Sequence, residues 1–175
     1  MKYNKILIVG GIGAGKTTLA KKISKKLKIR VWELDNVVWK KRDIHKQNKP
    51  PIRDKKVKAI LKKSKWIVEG FHNHPWTYGF YKKADIIIIL KVKPFISKLR
   101  IIKRYLKRKL YLENTKNVNK SLKLAIALIK GVEKRSKRHM KIQKQIAKRF
   151  NKNIIILGNN KEIKNFLEEM KKWNT

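Results

Sequence analysis

Near the start of the chain, Gly10-Gly11-Ile12-Gly13-Ala14-Gly15-Lys16-Thr17, followed by Thr18, has the residue types and spacing to hold a polyphosphate. The run satisfies G-x-x-x-x-G-K-[ST]. Glycines let the backbone wind tightly where a Cβ would obstruct the turn or the ligand. The amides thus exposed point at the anion, and the positive end of a following helix reinforces them. Lys16 can bridge β- and γ-phosphates as a point charge, the Thr17 hydroxyl can ligate Mg²⁺, and Thr18 can donate to a more distant phosphate. ATP and Mg²⁺ are therefore the expected cofactors. Kinases, GTPases, ATPases and nucleic-acid motors all use such a loop. A GTPase is disfavoured, because Asn4-Lys5, Asn48-Lys49 and Asn151-Lys152 have no Asp two residues beyond to read guanine.

Acids are scarce, eleven in all. In a parallel sheet the reactive centre lies beyond the carboxyl ends of the strands. Asp35 follows Val31-Trp32-Glu33-Leu34 and Glu69 follows Trp66-Ile67-Val68, so both close strands at that end. Asp85 opens its apolar run and belongs to the opposite end. Glu69 is expected to hold a Mg²⁺-bound water, and Asp35 to orient or deprotonate an acceptor hydroxyl. The competing reading is that each acid caps the turn behind it.

These groups need a frame, and the apolar spacing supplies one. Short apolar runs at 3–9, 30–34, 66–68, 85–90 and 154–157 read as strands; the run at 85–90 is continuous enough to be buried on both faces. Leu19, Ile23 and Leu27 recur every four residues and make 16–28 a helix. Helices are expected also at 52–63, from Pro94 to about 110, at 121–150 with Gly131 as a point of interruption, and at 161–173. The segment 40–51 is polar, ends in Pro-Pro and reads as a loop or a mobile segment. Strands that alternate with helices imply a parallel sheet covered on both faces.

The chain has 175 residues, a length that predicts one domain, 1–175. Hydrophobic residues make up 42%, enough for a packed core and too many for a disordered basic tail. With no cysteine and no apolar run of membrane-spanning length, a cytoplasmic protein is expected, and a monomer. The charge stands apart. Forty-nine Lys and Arg against eleven Asp and Glu give +38, and residues 91–152 hold 22 bases and two acids. Such a field attracts polyanions, which makes non-specific nucleic acid a candidate partner. Forty of the bases are Lys, so an A/T-rich coding sequence is an equal explanation.

The phosphate loop, Leu34-Asp35-Asn36-Val37-Val38-Trp39, Trp66-Ile67-Val68-Glu69-Gly70, the Ala84-Asp85 strand, the basic helix after Pro94 and Lys134-Arg135-Ser136-Lys137-Arg138 occur in that order. Together they resemble the adenylate kinase-like P-loop proteins, and most closely those called DNA topology modulation proteins. The resemblance implies a three-layer α/β P-loop NTPase fold. Its five-stranded parallel sheet would have the order 2-3-1-4-5, and ATP and Mg²⁺ would bind under a helical lid at about 108–138. One departure matters: relatives carry an Arg soon after the glycine matching Gly70, whereas this chain continues Phe71-His72-Asn73-His74. Arg100, Arg104 and Arg108 share a helix face by spacing, and Arg135 and Arg138 follow the break at 111–120. The resemblance implies that they close on the phosphates, with Arg104 and Arg135 stabilising transfer and Arg100 and Arg138 binding nucleotide. A solvated basic face is the alternative. Asn159 is placed, by analogy, at the adenine edge. The leading expectation is phosphoryl transfer from ATP to a small, nucleoside- or nucleotide-like acceptor; the rival is a nucleic-acid-associated ATP-binding switch.

Overall fold

The computed structural model describes residues 3–40, 43–110 and 122–170. Along them run β1 (Lys5–Gly10), α1 (Lys16–Leu27), β2 (Val31–Glu33), α2 (Leu34–Val38), β3 (Trp39–Lys40) and β4 (Asp43–Gln47). Then follow α3 (Pro50–Leu61), β5 (Trp66–Glu69), a 3-10 turn at Pro75–Thr77 and α4 (Tyr78–Lys83). The remaining elements are β6 (Ile86–Leu90), α5 (Pro94–Lys109), α6 (Leu122–Arg149), β7 (Ile154–Leu157) and α7 (Asn160–Glu169).

Five strands form one parallel sheet in the order β2-β5-β1-β6-β7. Counting only its own strands along the chain, that order is 2-3-1-4-5, as the resemblance implied. β1 lies at the centre because it is apolar on both faces. Ile6 and Ile8 pack with Leu19, Ile23, Phe166 and Leu167 beneath α1 and α7, while Leu7 and Val9 pack with Val57, Ile60, Phe80 and Ile146 beneath α3, α4 and α6. This period-two division makes three layers. Asp85 sits at the amino end of the sheet, its Oδ2 accepting from the amides of Asn4 and Lys5 at 2.8 Å each, and stays away from the reactive edge.

Three expectations are corrected. The segment 40–51 is not simply a loop: β3 and β4 pair antiparallel, Trp39 opposite Gln47, and α3 begins at Pro50. Its strands carry no apolar alternation and are held by backbone pairing and by the Asn48 amide, which donates to the carbonyls of Val37 and Trp39. Gly131 does not interrupt α6. The space its missing Cβ leaves is taken by the Arg135 guanidinium, whose Nη2 would collide with a Cβ there. Asp35 does not end a strand directly; β2 stops at Glu33 and Asp35 occupies the first turn of the five-residue α2. The expected break at 111–120 lies outside the described residues, as does the end of the expected helix at 171–173.

Candidate active site

The phosphate loop leaves β1 at Gly10 and enters α1 at Lys16. Gly13 (φ 72°) and Gly15 (φ 94°) adopt left-handed backbone, the conformation glycine takes without strain. At rest the Lys16 ammonium donates to the carbonyl of Gly11 at 3.1 Å, curled over its own loop. Parallel pairing brings the rest together. Ile8 of β1 lies opposite Glu69 of β5, so the buried Glu69 carboxylate stands beside the first turn of α1. There the Thr17 hydroxyl donates to Glu69 Oε1 at 2.6 Å. Across the edge, Asp35 Oδ1 lies 3.0 Å from His72 Nε2.

The two acids have opposite electrostatic surroundings. The hydrogen bond from His72 holds the exposed Asp35 carboxyl below its ordinary value, helped by Lys16 and Arg104. Burial pushes Glu69 above the ordinary range, opposed by the Thr17 hydroxyl and Lys16 and reinforced by Glu33 and Asp35. Burial lowers Lys16, Glu69 and Asp35 pull it back up, and Arg104 lowers it further. Split environments of this kind are how paired carboxylates acquire different tasks. Glu69 is a buried carboxyl next to a hydroxyl, a pair of hard oxygen donors suited to a cation. Mg²⁺ commonly takes only one or two protein oxygens beside phosphate and water. The residues present fit that group.

The loop is clasped from behind. Arg100 donates from Nη1 to the carbonyls of Gly13 (3.3 Å) and Ala14 (2.9 Å). Buried Ser97 presents its carbonyl to Gly13, and Ser136 of α6 lies against Gly11; a Cβ on either glycine would come within 2.8 Å or 2.6 Å of these oxygens. Gly13→Ala combines a positive φ with a collision against backbone. It should cost roughly 1–3 kcal/mol in urea denaturation. An unchanged midpoint would show that the loop can lift away from α5.

The other expected groups are placed as follows. Arg104 is half-buried and close enough to shift both Lys16 and Asp35. Arg135 lies back along its own helix, donating to the carbonyls of Gly131 (3.2 Å) and Ala127 (2.6 Å). Arg138 and Thr18 are exposed, and Ile12 is half-buried. Asn159 caps α7: its Oδ1 accepts from the Glu162 amide at 2.9 Å and its amide group donates to the Glu162 carboxylate. Two contributors carried no sequence signal. Ser136 is one. The other is His139, whose ring meets Phe71 at 4.3 Å and is held below its ordinary pKa by burial and then by Lys16. Beside them, Trp76 of the 3-10 turn stands 5.6 Å from His72 with the Arg53 guanidinium 5.1 Å over its ring.

Comparisons with known proteins agree with this fold. The structure superposes on a shikimate kinase from Acinetobacter baumannii in complex with shikimate, with a TM-score of 0.59 and 14% identity over 95% of this chain and 90% of that one. It superposes on shikimate kinase from Bacteroides thetaiotaomicron with a TM-score of 0.57 and 14% identity over 97% of each chain. At such identity the likeness is one of fold. No curated protein sequence matches the chain. Residues 6–119, which run from the central strand through the phosphate loop, both site acids and all of α5, match the AAA domain; this chain, with its phosphate loop clasped by α5 and α6, belongs to that family of P-loop NTPases.

Proposed function

We propose that the protein is an ATP- and Mg²⁺-dependent kinase that phosphorylates a hydroxyl of a small acceptor. The observation that carries this reading is the arrangement around Lys16: a Thr17–Glu69 oxygen pair on one side and an Asp35 carboxylate kept ionised on the other. Glu69 and Thr17 would hold Mg²⁺, which when bound neutralises phosphate charge. The amides of residues 11–16 and the Lys16 ammonium grip the β- and γ-phosphates, and Thr18 a more distant one. Asp35 accepts the acceptor's hydroxyl proton as that oxygen bonds to the γ-phosphorus and the bond to the bridging oxygen of ADP breaks. His72 orients Asp35. Arg104 offsets charge on the transferring group, joined by Arg135 once it leaves its own helix. Arg100 acts through the loop carbonyls it holds, and the segment about 108–138, with Arg138, serves as the lid of a single kinase-like domain. His72, Trp76 and Arg53 form the wall where the acceptor is read, in place of the Arg that relatives carry after this glycine. The pieces at 34–39 and 66–70 support a place near the DNA topology modulation proteins within this reading.

Asp35→Asn should lower the rate of acceptor phosphorylation on the order of 10²- to 10⁴-fold, the range of general-base loss, while ATP affinity stays at the wild-type value. The measurement is a panel of nucleosides, nucleotides and hydroxy acids with γ-labelled ATP. ATP hydrolysis stimulated by DNA, with no acceptor labelled, would favour the switch reading instead.

A further inference from the structure

We propose that α5 seats this protein on the surface of an anionic lipid bilayer. α5 turns one side into the fold and a second, apolar side away from it. Ser97 and Ile101 face inward and are buried. Phe95, Leu99, Ile102, Leu106 and Leu110 lie on the other side, each between 41% and 68% exposed. At ~100° per residue these five fall within an arc of about 80°, a continuous stripe along the whole helix. Leu122 and Ile126, in the first turns of the adjoining α6, are exposed as well. Five large apolar side chains aligned in this way are not scattered surface leucines.

The flanks name the partner. Lys98 and Lys109 border the stripe on one side and Lys103 on the other, within a region, 91–152, that carries 22 bases and two acids. A second copy would bring two chains of +38 face to face, so self-association is opposed by charge. Duplex phosphates would use the cations and leave the stripe unexplained. An anionic bilayer uses both: apolar side chains enter the headgroup–acyl boundary while lysines reach the phosphates beside them. Among the described residues no helix is long and apolar enough to cross a membrane, so α5 lies on the surface and does not span it. Arg100 and Arg104 lie about 120° and about 160° from the middle of the stripe by the same spacing, and Arg100 is held by the loop carbonyls. Seating on lipid therefore leaves the phosphate loop open, and the inference stands apart from the kinase reading.

The test is flotation of the full chain with vesicles of phosphatidylglycerol and phosphatidylcholine, against vesicles of phosphatidylcholine alone, at about 0.15 M salt. Binding is expected to the anionic vesicles only. A variant with Phe95→Ser, Leu99→Ser and Leu106→Ser keeps the net charge and should partition on the order of 100-fold more weakly. Ile52→Ser, at an exposed position on α3, should bind as wild type. Thermal melting verifies the fold, and if the triple variant misfolds, Leu99→Ser and Leu106→Ser are read singly, each expected weaker by about fivefold or more. No binding to anionic vesicles overturns the proposal. Binding unaffected by the serines overturns it too, because charge alone would then be responsible. So would a wild-type dimer in light scattering that the serines dissolve, or DNA binding that they weaken while vesicle binding persists.

Discussion

Lys16→Ala is expected to abolish ATP-dependent turnover, a fall of at least about 10³-fold, the scale of removing one cation from a phosphoryl-transfer site. The fold should survive. In the free protein the ammonium donates to the Gly11 carbonyl, a hydrogen bond whose loss costs about 0.5–1.5 kcal/mol. Its burial is already unfavourable to the charge, so the substitution also removes a strained cation, while Glu69 and Asp35 lose a neighbour that favours them ionised. A readout that needs no acceptor is the thermal shift on adding ATP and Mg²⁺. A ligand at 100 times its Kd stabilises by about 2.7 kcal/mol, and most of that gain should vanish in the variant. Full turnover with Lys16 absent would remove the kinase reading.

Glu69→Gln is the second large effect. The rate should drop on the order of 10²-fold, with a much smaller change in nucleotide affinity, because the carboxylate acts through the metal. Stability in the absence of ligand should move the other way. Burial raises the Glu69 pKa in the fold above its unfolded value. The contribution of such a group is fully present below the unfolded pKa and is lost as pH rises through the folded one. Above that range the charge on the buried side chain is therefore a burden to the free protein. Glutamine removes it and still accepts from the Thr17 hydroxyl. The variant should melt no lower than wild type at neutral pH, with the difference shrinking on acidification, and should lose the response to Mg²⁺. A Mg²⁺ titration identical to wild type would reduce Glu69 to a turn residue and pass its role to Asp35.

What could be read from the chain alone is what is local or periodic. The phosphate loop is eight consecutive residues whose conformation depends on glycines at set positions, and Gly13 and Gly15 take the left-handed backbone those positions require. The parallel sheet follows from runs of β-branched residues between helix-period segments, and the order of its strands was carried by the resemblance. Glu69 could be placed because its strand is apolar up to that residue, and the place where a strand stops fixes which end of the sheet its last side chain joins.

The tertiary structure decided the partners of long or polar side chains. Arg100 in the free protein braces the carbonyls of Gly13 and Ala14, 87 and 86 residues earlier in the chain. Arg135 in the free protein rests along α6, in space left by Gly131. Asn159 had a capping position open to it, with Glu162 three residues on, and in the free protein that local bond holds its side chain. His139 reached Phe71 only because α6 lies across the sheet edge. A side chain with several rotatable bonds can satisfy its charge or amide at any acceptor within reach, and spacing does not rank those acceptors. Packing does, because it sets which acceptors come within reach of a side chain and where a missing Cβ leaves room for it.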